Sequence, residues 1–193
     1  MWGFGVVFSR PCAYDDRMIT VIIETRDDEV RLAHALAALV PAATEGVVRD
    51  VIVVDCGSSD GTLAVADAAG CTIVAGGAGF GSARRAAVEQ ARGDWLLFTS
   101  PATALGPNWQ AEALAFVDRA LISGKVRTAA GRFRRGRLMT GWRGRLLELR
   151  SRFLANSPDE GLLASKRAWL GFSAPSPAVS SASSVSGARR GAA

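Results

Sequence analysis

Two stretches decide the fold: MITVIIETRDDE, residues 18–29, and VIVVDCGSSDGT, residues 51–62. Each begins with a continuous apolar run, Met18–Ile23 in the first and Val51–Val54 in the second, and each run ends in a polar loop. Short apolar runs bounded by turn residues are typical of strands that are buried on both faces. We therefore predict two buried strands, each followed by a polar loop.

A helix is expected after each of these loops. Asp27 and Asp28 can cap the first helix, and the loop Asp55–Asp60 leads into an alanine-rich helix over Thr62–Ala69. The apolar positions of the first helix recur at helical spacing: Val30, Ala33, Leu36 and Leu39. Strands that alternate with helices in this way predict an α/β protein with a parallel sheet covered on both faces.

The alternation continues along the chain. Further strands are predicted at Cys71–Val74, Trp95–Thr99 and Val126–Phe133, with a glycine-rich loop at Gly76–Gly81. Helices are predicted at Ser82–Arg92, at Pro107–Ile122, at Leu162–Trp169 and over an amphipathic segment that carries Leu138, Trp142, Leu146, Leu149 and Phe153. From Gly171 onward the sequence is rich in Ser, Ala, Gly and Pro, and we expect a disordered tail because little apolar surface is available to bury.

The composition limits the class of protein. The chain has 193 residues, 49% of them hydrophobic, which is enough for one domain with an ordinary core. Its apolar runs are too short for a membrane-spanning helix and its first 17 residues do not resemble a secretory signal, so we expect a cytoplasmic protein. Cys12, Cys56 and Cys71 lack the spacing of a metal site or a redox motif, which fits a reducing compartment.

The net charge of +5 is concentrated in one segment. Eight arginines lie between Arg132 and Arg152, with Glu148 as the only acidic residue among them. An amphipathic helix flanked by arginines can pack against the sheet, or it can lie on an anionic membrane as a peripheral contact at the inner membrane. Nucleic acid is not an expected partner because no aromatic stacking platform or reading helix accompanies the arginines.

Each polar loop follows the carboxyl end of a predicted strand. Thr25–Asp27 follow the first strand, Asp55–Asp60 the second, the glycine loop the third and Ser100–Thr103 the fourth. In parallel α/β sheets, ligands bind beyond the carboxyl ends of the strands, where such loops converge. The sequence therefore predicts one ligand site lined by four loops.

These motifs resemble those of the family-2 glycosyltransferases. ITVIIETRDDE is similar to the family's opening strand, VIVVDCGSSDGT to its second-strand signature, and GFGSARRAAVEQARGDWLLF to its glycine loop and the helix and strand that follow. The resemblance covers about residues 19–109. It implies the GT-A fold, a single domain with a mostly parallel, Rossmann-like sheet. It also implies a nucleotide-diphosphate-sugar donor, with the uridine type favoured, and inversion at the anomeric carbon.

The resemblance also assigns residues to the donor site. Thr25 and Asp55 match positions that hold the nucleoside in the family, and Arg84 matches the arginine that faces the base. The set expected to bind the nucleotide sugar is Thr25, Arg26, Asp55, Gly79, Gly81, Arg84 and Arg85. The residues alone leave alternatives open: Asp55 and Asp60 are also typical turn and capping residues, and Arg84 could lie on a solvated helix face.

Three positions depart from the family pattern. The family carries a short acidic motif after the fourth strand, and its last aspartate binds the Mg²⁺ or Mn²⁺ that bridges the donor's diphosphate; here Ala102 stands at that position and supplies no ligand. We therefore predict no metal residue. Arg85 replaces the family's asparagine and could, with Arg84, offset the diphosphate charge, the alternative being a surface arginine. Glu24 replaces the proline that is common after the first strand.

An inverting transfer needs a carboxylate that takes the acceptor's proton. The segment SPDEGLLASKRAW resembles the acceptor-side element of some bacterial members, so Asp159 or Glu160 is the predicted catalytic base. The alternative is that Ser157 and Asp159 cap the helix predicted from Leu162. His34, the only histidine, has no partner at ligand spacing and is expected to be structural.

The resemblance thus implies a bacterial-type glycosyltransferase of family 2 that acts on an unknown acceptor hydroxyl, which a lipid-linked molecule could supply. The alternative is an inactive nucleotide-sugar-binding scaffold, which Ala102 favours. A nucleotidyltransferase on a related sheet would need a glycine-rich loop with a basic residue directly after the first strand. The segment ETRDDE contains no glycine, which argues against that function. We divide the chain into an extension (residues 1–17), a nucleotide-sugar-binding half (18–123), a partial acceptor-side region (124–170) and the tail (171–193).

Overall fold

The structure, a computed structural model, describes residues 15–76, 80–103, 105–134, 137–139 and 161–173. The strands in these residues are β1 (Ile19–Thr25), β2 (Val48–Asp55), β3 (Thr72–Ala75), β4 (Trp95–Thr99), β5 (Ala130–Arg134), β6 (Arg137–Met139) and β7 (Gly161–Ser165). The helices are α1 (Glu29–Thr44), α2 (Thr62–Ala68), α3 (Phe80–Gln90), α4 (Trp109–Ile122) and α5 (Lys166–Ser173). All of these strands belong to one sheet, in the order β3-β2-β1-β4-β7-β5-β6.

The first four strands form the parallel part of the sheet. β1 pairs with β2 on one side and β4 on the other, and β2 pairs with β3. The chain moves outward from β1 to β3 and then returns to place β4 on the opposite side of β1. The strand order therefore reverses between β1 and β4, and this is the point at which open α/β sheets form a ligand crevice.

The pleat of the strands divides the core into two layers. Val21 and Ile23 of β1 pack on the side of α1, α2 and α4, whereas Ile22 packs on the side of α3. All three side chains have no exposed surface, and each contributes about 1.5–3 kcal/mol by its burial. Burial on both faces explains why the predicted strands are continuously apolar, and the parallel α/β sheet is confirmed.

An antiparallel extension follows β4. β7 pairs with β4, β5 with β7 and β6 with β5, in each case antiparallel. The helix predicted over Leu162–Trp169 is therefore wrong in its first half, because Gly161–Ser165 is a strand. Backbone pairing with β4 satisfies the N–H and C=O groups on the outer edge of that strand, and this tertiary demand outweighs the local helical preference of leucine and alanine.

Two other predictions in this region need correction. Val126–Thr128 is a short 3-10 helix and the strand begins only at Ala130. Leu138, placed in a helix by its spacing to later apolar residues, lies in β6, which pairs with β5. The rest of the predicted amphipathic segment, residues 142–153, lies outside the described residues, and so does its predicted contact with a membrane.

Ser165 connects the extension to the last described helix. Its hydroxyl accepts a hydrogen bond from the main-chain N–H of Ala168 at 3.0 Å, which is the geometry of a helix N-cap. α5 therefore begins at Lys166, so the capping role considered for Ser157 and Asp159 at Leu162 is wrong. The first residues of the predicted tail, Gly171–Ser173, are the last turn of α5, and the remainder of the tail lies outside the described residues.

The ends of the earlier helices differ from prediction in small ways. α3 begins at Phe80, so Gly81 is in its first turn instead of in the glycine loop, and α4 begins at Trp109 instead of Pro107. Asp28 precedes α1 but makes no side-chain capping bond. Val30, predicted on the apolar face, is 67% exposed. Within the described part of the chain, every helix is too short or too polar to span a bilayer.

Candidate functional site

The register of the parallel strands aligns the predicted site residues. Thr25 is paired with Asp55 across β1 and β2, and Asp55 is paired with Ala75 across β2 and β3. On the other side of β1, Ile23 is paired with Thr99, the last residue of β4. The carboxyl ends of the four parallel strands, from which the predicted loops start, therefore lie side by side.

Asp55 is the last residue of β2, and its carboxylate folds the loop that follows. It accepts hydrogen bonds from the main-chain N–H of Gly57 at 3.0 Å and of Ser58 at 3.1 Å, and from the Ser58 hydroxyl at 2.5 Å. The residue is 8% exposed. Asp55 thus makes the turn considered as its structural alternative, and these bonds fix the carboxylate at the sheet edge beside Thr25.

Thr25 has a buried hydroxyl that lacks a partner. The residue is 3% exposed, and its Oγ1 atom makes no hydrogen bond to any described residue. A buried hydroxyl without a partner costs about 1–3 kcal/mol. This atom lies at the end of β1, opposite Asp55.

Hydrogen bonds join the loop after β1 to the loop after β2. Asp27 adopts a left-handed conformation with φ of 50°. Its main-chain N–H donates to the Ser58 hydroxyl at 2.9 Å, and its carboxylate accepts from the main-chain N–H of Ser59 at 2.7 Å. The Thr62 hydroxyl accepts from the main-chain N–H of Asp28 at 3.0 Å. We call these two loops, residues 26–29 and 57–62, the paired loops.

Glu24 and Arg84 form an ion pair on the α3 side of the sheet edge. The guanidinium donates through Nε to one carboxylate oxygen and through Nη2 to the other, the second bond at 2.7 Å. The side chains are 15% and 32% exposed. Hydrogen bonding to Glu24 raises the pKa of Arg84 above its ordinary value, so the guanidinium is permanently charged. Arg84 is therefore held at the sheet edge and does not lie on a solvated helix face.

Cys56 lies beside this ion pair. Burial raises the pKa of its thiol, and the Glu24 and Asp55 carboxylates raise it further, while Arg26 and Arg84 act in the opposite direction. Gly76 is required next to it, because a Cβ atom there would lie 2.5 Å from the Cys56 sulfur and 2.7 Å from the Asp55 carbonyl oxygen. Cys56 and Cys71 are free thiols.

The other residues predicted to bind the nucleotide sugar make fewer contacts at the edge of the sheet. Arg26 is largely exposed, with Nε 3.9 Å from an Asp27 carboxylate oxygen. Arg85 is half exposed, and its Nε pairs with Glu89 one helical turn later at 3.3 Å. Gly81 lies in the first turn of α3, and Gly79 lies outside the described residues. Their contacts with a nucleotide stay predictions.

The loop after β4 is closed by its own hydroxyl groups. The Thr103 hydroxyl accepts from the main-chain N–H of Ser100 at 3.2 Å, and the two side-chain oxygens are 3.1 Å apart. Ala102 is exposed between them. Among the described residues, no group of three or more His, Cys, Asp and Glu side chains is placed to hold a metal ion. The described residues thus do not fit a divalent cation at this loop, since hard cations need oxygen ligands, mostly carboxylates.

A cavity of about 540 Å³ lies beside this loop, at the point where the strand order reverses. Residues of β1, α1 and the loop after β4 line it, among them Ile23, His34, Ala38, Thr99, Ser100 and Ala102. His34 is exposed on α1 and faces this space, so it is not part of the core. The cavity and the Glu24–Arg84 pair lie on opposite faces of the sheet.

The first residue of β7 stands at the same edge of the sheet. β7 runs antiparallel to β4, with Leu162 paired to Phe98, so the chain enters β7 near the carboxyl end of β4. Asp159 and Glu160, the predicted catalytic bases, directly precede Gly161 in the sequence and lie outside the described residues.

Sequence reasoning missed several residues of this site. The family pattern marks Glu24 only as a replacement for proline, and the sequence predicts neither its pairing with Arg84 nor the position of Cys56. The available signal was an acidic residue within an otherwise apolar strand, since a charge near a core is rarely left without a partner. Ser58 also escaped notice, although a serine three residues after an aspartate is typical of a local turn.

Comparison with known proteins agrees with this architecture. Crystal structures of glucosyl-3-phosphoglycerate synthase from Mycobacterium tuberculosis, one with Mn²⁺, uridine-diphosphate and glucosyl-3-phosphoglycerate and one with Mn²⁺, uridine-diphosphate-glucose and phosphoglyceric acid, are 21% and 22% identical to this chain. Each matches with a TM-score of 0.51 over 78% of this chain and 57% of the synthase. The chain thus spans just over half the length of the synthase, and the likeness establishes the GT-A fold. No curated protein sequence matches the chain.

The family assignment comes from a match to the amino-acid sequence. The family model described as glycosyl transferase family 2 matches residues 20–161, which is well over half of the 193 residues. The match includes β1 except its first residue, β2 to β4, the paired loops and the loop that carries Ala102. On this match and on the fold that the structure displays, the chain belongs to glycosyl transferase family 2.

Proposed function

We propose that this chain binds a nucleoside-diphosphate sugar of the uridine type and transfers its sugar to an acceptor hydroxyl. The observation that carries the proposal is the alignment of Thr25 and Asp55 at the edge of the sheet, with Arg84 held at the same edge through Glu24. The synthase structures contain uridine-diphosphate or uridine-diphosphate-glucose, so uridine-diphosphate-glucose is the first donor to test.

The nucleoside end of the proposed site has suitable chemistry. Uracil carries an imide N–H between two carbonyl groups, and a fixed carboxylate such as Asp55 can accept from the N–H while a hydroxyl such as Thr25 donates to a carbonyl. Neither side chain would lose much conformational entropy on binding, because Asp55 is already fixed by protein donors and Thr25 is buried.

The proposed transfer is an inverting displacement. The acceptor oxygen attacks the anomeric carbon, the bond from that carbon to the diphosphate oxygen breaks, and the acceptor's proton passes to a carboxylate. Asp159 or Glu160 is the proposed base. This choice is supported by the position of Gly161 at the carboxyl edge of β4 and by the start of α5 at Lys166, which excludes a capping role at Leu162.

The proposed reaction is independent of a divalent cation. The family's metal position is Ala102, and the diphosphate charge would be offset by guanidinium groups, of which Arg85 is the candidate. Arg84 contributes less to this task because its charge is already balanced by Glu24.

Calorimetry with uridine-diphosphate tests binding and metal use together. We expect the same affinity with and without Mn²⁺ for the wild type, and tighter binding with Mn²⁺ for Ala102→Asp. Ala102→Asn is the matched control, since it adds a side chain of the same size without charge. If the wild type does not bind uridine-diphosphate in either condition, the nucleotide assignment is wrong.

A second function, binding of a nucleotide sugar without transfer, is favoured by the absence of a carboxylate at Ala102. Slow hydrolysis of uridine-diphosphate-glucose separates the two functions, because a competent site transfers the sugar to water when no acceptor is present. Turnover by the wild type that is abolished in Asp159→Asn or Glu160→Gln supports the transferase. Binding without turnover, with turnover appearing in Ala102→Asp plus Mn²⁺, supports the inactive protein.

A further inference from the structure

The Glu24–Arg84 pair joins two elements that are distant in the chain. Glu24 lies near the end of β1, one residue before Thr25, and Arg84 lies in the second turn of α3. Glu24 is also paired with Val54, the residue before Asp55, so the ion pair lies near the carboxyl ends of both β1 and β2. Its two parallel hydrogen bonds determine the plane of the guanidinium group as well as its position.

This pairing changes what Arg84 can offer to a ligand. A guanidinium whose charge is balanced by an adjacent carboxylate attracts phosphate weakly, but its flat face still stacks on an aromatic ring. The Asp55 carboxylate lies at the same edge and adds negative charge, which also disfavours phosphate there. The α3 side of the edge is therefore better suited to an uncharged base than to a diphosphate.

We propose that Glu24 is a positioning residue that holds the plane of Arg84 against the nucleotide base, so that this end of the site recognises the nucleoside and not its phosphates. The inference rests on the proposed nucleotide binding and adds a residue that departs from the family pattern. It also predicts that Glu24 acts only through Arg84.

A double-mutant cycle read out by binding tests this dependence. Dissociation constants for uridine and for uridine-diphosphate are measured by calorimetry, without metal, for the wild type, Glu24→Gln, Glu24→Ala, Arg84→Ala and the double variant Glu24→Ala/Arg84→Ala. Asp118→Asn is the control: Asp118 also pairs with an arginine, Arg17, at 3.1 Å, but that arginine precedes β1 and lies at the opposite end of the strand. Circular dichroism and thermal denaturation verify that each variant is folded at the measuring temperature.

The expected result is a loss of affinity that is the same for both ligands. Glu24→Ala should weaken the binding of uridine and of uridine-diphosphate by the same factor, roughly five- to twentyfold. Glu24→Gln keeps one hydrogen-bond acceptor and should lose less affinity. In the Arg84→Ala background the Glu24→Ala change should have no further effect. A pair that only joined β1 to α3 would lower the melting temperature and leave both dissociation constants unchanged.

Three outcomes would overturn the inference. Equal effects of Glu24→Ala with and without Arg84 would show that Glu24 acts by itself. Tighter binding of uridine-diphosphate but not of uridine in Glu24→Gln would show that Glu24 only repels phosphate. If the wild type binds both ligands and the Glu24 variants have the same dissociation constants, the pair is only a structural contact. If the wild type binds neither ligand, the proposed function is wrong as well.

Discussion

Glu29 and Asp60 exchange hydrogen bonds across the paired loops: Asp60 stabilises the start of α1, and Glu29 stabilises the start of α2. The Asp60 carboxylate accepts a hydrogen bond at 3.1 Å from the main-chain N–H of Glu29, the first residue of α1. In return, the Glu29 carboxylate accepts one at 3.1 Å from the main-chain N–H of Gly61, the residue before α2. Both carboxylates also lie near the positive ends of the helix dipoles.

This exchange predicts that the two residues are coupled in stability. Asp60→Asn and Glu29→Gln should each lower the melting temperature, and the double variant should lose less than the sum of the two, because either change releases the same pair of loops. Thermal denaturation of the four proteins gives the coupling. Arg31→Gln, which removes only a surface pair with Asp28, is a suitable control. Strict additivity would show that the loops are held by other contacts.

Acid should remove the contribution of Asp60. The Thr62 hydroxyl, aided by the main-chain N–H groups of Thr62 and Glu29, lowers the pKa of Asp60 below its ordinary value of 3.8. A carboxylate with a depressed pKa in the folded state stabilises the protein above the unfolded pKa and loses this effect as the pH falls through the folded pKa. The difference in melting temperature between wild type and Asp60→Asn should therefore be constant near neutral pH and shrink below about pH 4. A difference that persisted at pH 2.5 would contradict this assignment.

Thr25→Val separates binding from stability. The buried hydroxyl of Thr25 has no partner among the described residues, so the change should leave the free energy of unfolding unchanged or raise it by up to about 1 kcal/mol. If the Thr25 hydroxyl donates a hydrogen bond to the base, the same change should weaken the binding of uridine-diphosphate by roughly two- to tenfold. Urea denaturation and calorimetry measure the two effects. Thr128→Val, at an exposed turn, provides the comparison, and a valine variant with normal affinity would exclude a contact through the hydroxyl.

The reactivity of Cys56 should report on Glu24. Burial and the carboxylates of Glu24 and Asp55 raise the pKa of the Cys56 thiol, which leaves little thiolate near neutral pH. Glu24→Gln should therefore speed the alkylation of Cys56 by iodoacetamide, as followed by mass spectrometry of the peptide. Cys71 is the internal control, because its thiol pKa is raised by burial alone. A rate at Cys56 that changed no more than the rate at Cys71 would place Glu24 too far away to affect the thiol.

The parallel half of the sheet was predictable from sequence because burial on both faces leaves a continuous apolar run. Trp95–Thr99 was predicted with the bounds that the structure shows, and β1 and β2 differ from prediction only at their ends. Gly161–Ser165 was not predictable in this way. Its sequence GLLAS suits a helix or a strand, and only pairing with β4 decides between them.

The candidate site was predicted as a set of loops, but its internal contacts were not. Asp60 was expected to act at the start of α2, and its bond to the main-chain N–H of Thr62 fits that role. Its second bond, to Glu29, joins residues 31 positions apart, and the Glu24–Arg84 bonds span 60 positions. Such contacts depend on the register of β1 with its neighbours and on the packing of α3 against the sheet, so no local sequence pattern predicts them.

The antiparallel pairing of β7 with β4 has a consequence for biosynthesis. β1 to β4 can assemble once residue 99 has left the ribosome, but the outer edge of β4 is covered only after residues 161–165 have followed. At typical rates of translation the interval is about 3–12 seconds. During this interval the nascent chain displays an unpaired apolar strand edge, which is a template for wrong pairing and for chaperone capture. Changes in Gly161–Ser165 should therefore reduce the yield of folded protein more than its final stability would suggest.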